Sequence, residues 1–283
     1  MTAISRPDAA VPPRLPASRR RTSPRRRQRI IRGVQYAALV AAVVVVAVAT
    51  DWTRVGSQLF NPAVAADMAS SLPVALKNTV VYTLAAFAIG LSLGTVLALM
   101  RLSSVGPYRW IATLYIEFFR GIPALLVVIA FGYAVPIALG VRIESVIAKA
   151  GLALGMVSAA YIAETLRAGI QAVPKGQVEA ARSLGMSPTR TLVQVVIPQA
   201  FRIVLPPMTN ELILLTKDTS LISVVGLLPT QFDLTKVGRD MLNSATGGLT
   251  ALFVVGACYL VITIPLGLVA RWLERRTGGG SRP

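Results

Sequence analysis

Six apolar stretches constrain this chain more than any other feature of its sequence. Each is close to the length of about 20 mostly apolar residues with which a helix crosses a bilayer. Of the 283 residues, 54% are hydrophobic and only 14% are charged, which is outside the range of ordinary soluble domains. We therefore predict an all-α, polytopic membrane protein with about six transmembrane helices, the third of them kinked or tilted. The predicted spans are 33–50, 79–100, 110–138, 146–166, 192–216 and 249–270.

The residue types that the chain lacks exclude several classes of function. There is no His and only one Cys, Cys258, which excludes disulfide frameworks, His-ligated metals and Ser-His-Asp triads. No G-x(4)-G-K-[ST] loop is present to cradle the phosphates of ATP. We predict that the chain is not an enzyme and that it binds no metal and no cofactor. If ATP drives its function, a partner chain binds the nucleotide.

Positive charge is concentrated at the N-terminus. The net charge is +17, and residues 1–32 hold ten Arg against the single acidic residue Asp8. This segment is rich in Pro and has almost no apolar run, so residues 1–32 are predicted to be a disordered, Arg-rich cytoplasmic tail. An Arg-rich flank before an apolar helix is typical of contact with anionic lipid headgroups, and we expect the lipid bilayer, rather than nucleic acid, to be its partner.

The distribution of Lys and Arg also predicts the orientation. With the N-terminus inside, the cytoplasmic segments hold 20 Lys and Arg and the outer segments hold 6. By the positive-inside rule both termini are cytoplasmic. Residues 33–71 then form an extra transmembrane helix with its outer loop, 72–271 form the main transmembrane domain, and 272–283 form a short tail. An alternative for the first span is a cleavable signal peptide that ends near Ala47-Val48-Ala49.

The cytoplasmic loop between the fourth and fifth spans carries the most specific signal. Pro174 suits the first turn of a helix and Gly185 suits the left-handed position after its end, so one helix is predicted over about 174–184. Ser187 and Pro188 are typical of the cap and first turn of the next helix. Val178, Ala181 and Leu184 recur on one side, which is typical of a helix that lies in a partner's groove.

This loop resembles the EAA loop of permease subunits of bacterial ABC importers. The match consists of Glu179-Ala180-Ala181, then Gly185, then Val195-x-Ile197-Pro198. Further phrases, YIEFFRGIPALL at 115–126 and LTKDTSLISVVG at 215–226, resemble the polar amino acid subfamily, whose substrates include glutamine, glutamate, histidine, arginine and cystine. The resemblance covers about 72–271, so it implies a five-helix ABC type-1 permease core preceded by an extra N-terminal helix.

The resemblance implies a function and a set of partners. The chain is expected to be the permease subunit of an importer in the bacterial inner membrane, working by alternating access. Its partners would be a cytoplasmic ATPase dimer that holds ATP and Mg, an extracytoplasmic amino-acid-binding protein and a second permease subunit, identical or related. The residues expected to couple the permease to the ATPase are Pro174, Gly176, Glu179, Ala180, Ala181, Gly185 and Pro198.

Charged residues inside the spans give a second, weaker site. Two pairs three residues apart, Glu117 with Arg120 and Glu164 with Arg167, are predicted to pair on their helices near the cytoplasmic boundary. Glu211 has no cation close in sequence, so it is predicted either to pair with another helix or to face the substrate. The residues assigned to a substrate path are Glu211, Lys217, Asp218, Thr219 and Ser220, with Glu211 and Lys217 as acceptor and donor for a zwitterion.

Two other functions remain as alternatives. A secondary transporter driven by an ion gradient explains the helix breakers and the buried Glu211 but gives the EAA loop no purpose, and no inverted repeat is visible. A membrane-embedded enzyme is disfavoured because His and clustered carboxylates are missing.

Overall fold

The computed structural model describes residues 24–244 and 247–277, apart from the side chains of residues 24 and 26. All of its regular elements within these ranges are helices. The α-helices are α1 Pro24–Ala49, α2 Trp52–Leu59, α3 Pro62–Ala69, α4 Leu72–Leu102, α5 Gly106–Gly121, α6 Ala124–Ile129, α7 Val135–Leu139, α8 Val146–Gln171, α9 Lys175–Ser183, α10 Pro188–Thr191, α11 Ile197–Asp218, α12 Leu234–Leu242 and α13 Thr250–Thr277. Wider helical turns at Ala130–Ala134 and Leu192–Val196 join α6 to α7 and α10 to α11, and tighter turns follow α11 at Thr219–Val224 and Pro229–Gln231.

The number of spans agrees with the prediction. Five helices are long and apolar enough to cross a membrane, and a bent pair brings the number to six. That pair is the third span. Gly106–Gly121 and Ala124–Leu139 meet at 102°, which is a sharp break where the sequence predicts a kink or tilt. Pro123 causes the break, because it has no N–H to continue the helix and it forces Ile122 before it into an extended conformation (φ −102°, ψ 137°).

The N-terminal helix α1 belongs to a unit of its own, which ends at Val55. The helix begins at Pro24, so residues 24–32 are helical where the sequence predicts disorder, while residues 1–23 lie outside the described ranges. The helix has no acidic residue and ends with local hydrogen bonds: Thr50 Oγ1 donates to the carbonyl of Val46 (2.6 Å) and Trp52 Nε1 to that of Ala47 (2.7 Å). These bonds satisfy carbonyls that a helix end leaves free.

The second unit begins at Gly56, and α4 and α8 lie at its centre. These two helices run parallel and in close contact through glycines. A Cβ on Gly94 would lie 2.8 Å from Ile162 Cγ2, and a Cβ on Gly155 would lie 2.9 Å from the carbonyl oxygen of Ala86. The pairs Gly90-x(3)-Gly94 and Gly151-x(3)-Gly155 thus let the two helix backbones approach closely, as small-residue pairs do in membrane proteins.

The fifth span is longer than predicted, since helical residues run from Pro188 to Asp218 and beyond. Its wide turn at Leu192–Val196 has a local cause. Pro198 cannot donate to the carbonyl of Gln194, and the turn allows Ile197 N–H to reach the carbonyl of Leu192 instead. The last helix, α13, continues to Thr277, so the predicted tail at 272–283 is helical up to that residue and is outside the described ranges after it.

The connection between α11 and α13 is fastened to α4 by hydrogen bonds. Asn78 Nδ2 donates to the carbonyls of Thr230 and Phe232, both at 2.9 Å, and Tyr82 hydroxyl donates to that of Gln231 at 2.8 Å. This segment carries α12, whose N-cap is the fully buried Asp233. The segment from the end of α11 to the end of α12 thus has a defined fold.

Candidate functional site

The loop between α8 and α11 forms the predicted helix almost residue for residue. Pro174 is the N-cap of α9, which spans Lys175–Ser183, and Ser187 accepts a hydrogen bond from Arg190 N–H to cap α10. Both caps agree with the sequence prediction of a helix over about 174–184 and of a new start at Ser187. The sequence predicts this loop well because capping depends on residues within one helical turn.

The end of α9 is a glycine turn that fixes the direction of the chain. Gly185 has a φ of 83°, as the sequence predicts, in the left-handed region that glycine tolerates best. Met186 N–H donates to the carbonyl of Ala181 (3.2 Å) and Gly185 N–H to that of Arg182 (3.0 Å), which together form a Schellman motif. The Arg182 guanidinium adds a 2.5 Å hydrogen bond to the carbonyl of Met186.

Helix α9 is attached to the ends of both spans that it connects. Gln199 Nε2 on α11 donates to Gln177 Oε1, at 2.5 Å. Half-buried Val178 packs against the buried cluster formed by Val173, Val196 and Ala200, together with Ile170 of α8. A displacement of α9 therefore acts directly on the start of α11.

The exposed side of α9 differs in part from the predicted docking side. Glu179 and Ala180 are exposed, as docking requires, but Ala181 is buried and Val178 half-buried against the chain itself. The apolar series predicted on one side is thus divided, because only Leu184 projects outward, with 85% of its surface exposed. The sequence pattern identifies an apolar face, but it does not show whether the chain itself or a partner protein covers that face.

Two other predicted coupling residues have different local roles. Gly176 is exposed, and a Cβ built on it would meet no atom within 4 Å, so the chain's own packing gives no reason for glycine there. Pro198 is exposed at the start of α11, where it accompanies the wide turn described above.

A cavity of about 240 Å³ lies between α8, α11 and the break in the third span. Its polar lining consists of Ser158 and Tyr161 on α8 and of Glu211 and Asp218 on α11. The remaining walls are apolar and comprise Ile122, Ala124, Leu154, Val157, Leu214 and Leu215. Pockets with few polar groups on apolar walls are the usual form of small-molecule sites.

The structure separates the predicted substrate-path residues into two groups. Glu211 faces the cavity and accepts a 2.8 Å hydrogen bond from Ser158 Oγ. Asp218, at the C-terminal end of α11, lines the same cavity. Lys217 is exposed and is not part of this lining, so the structure does not bring it together with Glu211 in the cavity. Glu211 and Lys217 are six positions apart, and in an α-helix this spacing places two side chains on different faces.

Thr219 and Ser220 belong to the turn that follows α11 rather than to the cavity. Thr219 is fully buried, and its hydroxyl donates to the carbonyl of Thr216 (2.7 Å). Ser220 is half-buried in the same turn. Both residues shape the end of the helix that carries Asp218.

The two predicted charged pairs also differ from each other. Arg167 binds Glu164 at 2.6 Å, as predicted, and Arg101 of α4 lies 3.7 Å from the other carboxylate oxygen. Glu117 and Arg120, in contrast, are not joined to each other by an ion pair in the described part of the chain. The Arg120 guanidinium lies over the ring of Tyr161, 5.6 Å from its centroid.

The sequence did not identify several residues that build these sites. Ser158 and Tyr161 line the cavity, Arg101 joins the Glu164 pair, and Gln177 meets Gln199. These residues act together with partners that are distant in sequence or lie on separate helices, so spacing within one helix gives no signal for them. Within residues 24–244 and 247–277, no three His, Cys, Asp or Glu side chains are close enough to hold a metal ion together.

Comparison with known proteins gives the family. The profile of the family described as "Binding-protein-dependent transport system inner membrane component" matches residues 90–279. The probable glutamine ABC transporter permease protein GlnM of Bacillus subtilis is 37% identical over 201 residues, which is 70% of this chain and 89% of GlnM. The arginine transport system permease protein ArtQ of the same organism is 37% identical over 205 residues, 72% of this chain and 90% of ArtQ.

A solved structure agrees with this assignment. It is described as an amino acid ABC transporter with histidines, is 34% identical and superposes with a TM-score of 0.68, covering 75% of this chain and 96% of that one. The relatives are transport components, whose family works with a separate ATPase and with a binding protein. The chain belongs to the family of inner membrane components of binding-protein-dependent transport systems, as a multi-pass permease subunit of an ABC importer and not an enzyme.

Proposed function

We propose that this permease carries polar amino acids into the cell and that α9 is the element that couples it to a cytoplasmic ATPase dimer. The observation that carries the proposal is the attachment of α9 to α11, because α11 also supplies Glu211 and Asp218 to the cavity. One continuous element thus joins the docking helix to the wall of the transport path. ATP and Mg would be bound by the ATPase, and a binding protein outside would deliver the amino acid.

The cavity has the chemistry that an amino acid needs. The carboxylates of Glu211 and Asp218 can accept hydrogen bonds from an ammonium group, and the hydroxyls of Ser158 and Tyr161 can donate. Charged groups at membrane depth are costly unless they serve a function or are paired. Ser158 is the only hydrogen-bond partner that the structure gives Glu211 among the described residues, and it leaves the second carboxylate oxygen for a substrate.

A second permease subunit is part of the proposal. The cavity wall is incomplete in a single chain, because Tyr161 and Leu214, which line it, are 41% and 51% exposed. A related or identical subunit would close the path on this side. Under the same proposal both termini and α9 lie in the cytoplasm, as the distribution of Lys and Arg indicates.

Uptake measurements test the function. Cells that express the permease with its ATPase and binding protein should take up one or more labelled polar amino acids, and Glu211→Gln should lower the rate at least several-fold without lowering the amount in the membrane. Glu144→Gln, which changes an exposed carboxylate in another segment, is the control and should transport normally. Uptake that survives ATP depletion but stops when ion gradients are collapsed would contradict the proposal.

A further inference from the structure

The most exposed large apolar side chain in the described part of the molecule is in the cytoplasmic loop, not in a span. Leu184 is 85% exposed, more than Val48 in α1 (81%) or Ile137 in α7 (80%). Those two residues belong to predicted apolar spans, where lipid can cover them. Leu184 lies among Arg182, Ser183 and Ser187, so lipid tails are not available to it.

The chain holds Leu184 in this position by a rigid turn. Leu184 N–H donates to the carbonyl of Ala180 at 3.1 Å, and the Schellman bonds described above fix the two residues that follow it. Met186, two residues on, is half-buried. In a Schellman motif the residue after the glycine, here Met186, commonly makes an apolar contact with the last turn of the helix. Leu184 is thus exposed within a hydrogen-bonded turn and not in a loose loop.

The other apolar residues of α9 are not available to a partner. Ala181 is 6% exposed and Val178 packs against the cluster of Val173, Val196 and Ala200. The exposed residues of the helix and of its C-cap are Lys175, Gly176, Gln177, Glu179, Ala180, Arg182, Ser183 and Leu184. Of these residues, only Leu184 has a large apolar side chain. Interfaces draw most of their affinity from a few such anchors that enter pockets of the partner.

We infer that Leu184 is the apolar anchor by which this permease binds its ATPase, and that Val178 and Ala181 serve only to hold α9 on its own chain. The inference rests on the proposed coupling role of α9 and adds the chemistry of the contact. The receiving surface on the ATPase is an apolar pocket the size of a leucine side chain. The exposed charged residues of this loop are Lys175, Arg182 and Arg190 against one acid, Glu179, so the surface around that pocket is expected to carry an excess of carboxylates.

Binding measurements with the purified partner test the anchor. The ATP-binding chain that copurifies with the permease would be separated and titrated back onto the permease in lipid nanodiscs. Leu184→Asn keeps a similar volume but removes the apolar surface, and it should weaken binding about tenfold or more. Leu184→Met should bind like the parent, and so should Ser183→Asn, a matched change at the adjacent exposed residue. Equal binding by Leu184→Asn and the parent would overturn the inference.

Thiol labelling separates this inference from the proposed function. Single cysteines at Leu184, Ala180 and Thr189, each in a Cys258→Ala background, would be labelled with and without the ATPase. Strong protection at position 184 is expected. Protection at Ala180 without protection at position 184 would leave the docking role of α9 intact and exclude Leu184 as the anchor. Equal labelling at all three positions with and without ATPase would contradict the docking of α9 itself.

Discussion

Asp233 shows how a single residue can make the stability of the protein depend on pH. Its side chain is fully buried at the N-cap of α12 and accepts hydrogen bonds from Thr235 N–H (3.0 Å) and Lys236 N–H (3.2 Å). Burial raises the pKa of its carboxyl from 3.8 to about 6, even though these hydrogen bonds act to lower it. The folded protein thus retains the proton to a higher pH than the unfolded chain does.

The sign of this shift gives a prediction. Because the carboxyl pKa is raised in the folded state, its contribution to the free energy of unfolding is complete below about pH 4 and is lost as the pH rises to about 6. A shift of about two pKa units corresponds to about 3 kcal/mol. Asp233→Asn cannot ionise and still offers a capping oxygen, so its stability should change less between pH 4 and 6.5. Thermal unfolding of both proteins in detergent over this range measures the difference. Asp240→Asn, which alters an exposed residue bound to Lys236, is the control and should keep the parental pH profile.

Gly185 gives a second prediction at the scale of one residue. A Cβ at this position would meet no atom within 4 Å, so the cost of substitution comes from its φ of 83° alone. Valine strains this conformation by at least about 1–2 kcal/mol, whereas asparagine tolerates it. Gly185→Val should insert normally but retain less ATPase and transport more slowly, and Gly185→Asn should stay close to the parent. Quantitative blots of the permease and the ATPase in purified membranes, together with uptake measurements, check this expectation. If both variants lost ATPase and uptake to a similar extent, the cause would not be the backbone conformation at this position.

At the scale of elements, α4 and α8 behave as one packed pair because glycines let their backbones meet. The interface includes Gly94 against Ile162 and Gly155 against Ala86, and the ion pair of Arg101 with Glu164 joins the same helices nearer their C-terminal ends. In lipid there is little hydrophobic drive between helices, so such close contact supplies much of the association. Added volume at these glycines has no space to occupy.

Substitution at this interface should therefore be costly. Gly94→Ala would place its Cβ 2.8 Å from Ile162 Cγ2 and 2.9 Å from the carbonyl oxygen of Ala159, and a backbone oxygen cannot move aside freely. The expected loss is about 1–3 kcal/mol of stability, seen as a lower unfolding temperature in detergent. Gly256→Ala in α13 is the matched control, since its Cβ would meet no atom within 4 Å. An unchanged unfolding temperature for Gly94→Ala would show that the two helices separate easily.

At the scale of the whole molecule, the orientation is the feature on which the partners depend. In a Cys258→Ala background, a cysteine at Glu144 should react with an impermeant thiol reagent added outside intact cells, and a cysteine at Thr189 should react only after the membrane is opened. Both positions are exposed in the structure, so access to the reagent depends on the side of the membrane. The reverse pattern would place α9 outside, where no ATPase can reach it.

The sequence predicts much of this architecture because its main signals are local. Apolar length sets the spans, and caps such as Ser187 and turns such as Gly185 act within a few residues. The sequence does not predict the 102° break at Pro123, since a proline indicates an interruption but not its angle. It predicts only half of the cavity: charge identifies Glu211 and Asp218, whereas Ser158 and Tyr161 line the cavity because of packing between helices.

The proline pair in α11 marks a point at which this helix can bend. Pro206 and Pro207 lie inside the helix, between Gln199, which contacts α9, and the two carboxylates of the cavity. From Pro207 to Asp218 the helix rises about 16 Å at 1.5 Å per residue. A hinge of about 20° at the prolines, a modest value for such sites, would swing Asp218 sideways by about 6 Å. This is twice the length of a hydrogen bond, so a small rotation at the hinge is enough for the carboxylate to release whatever it holds.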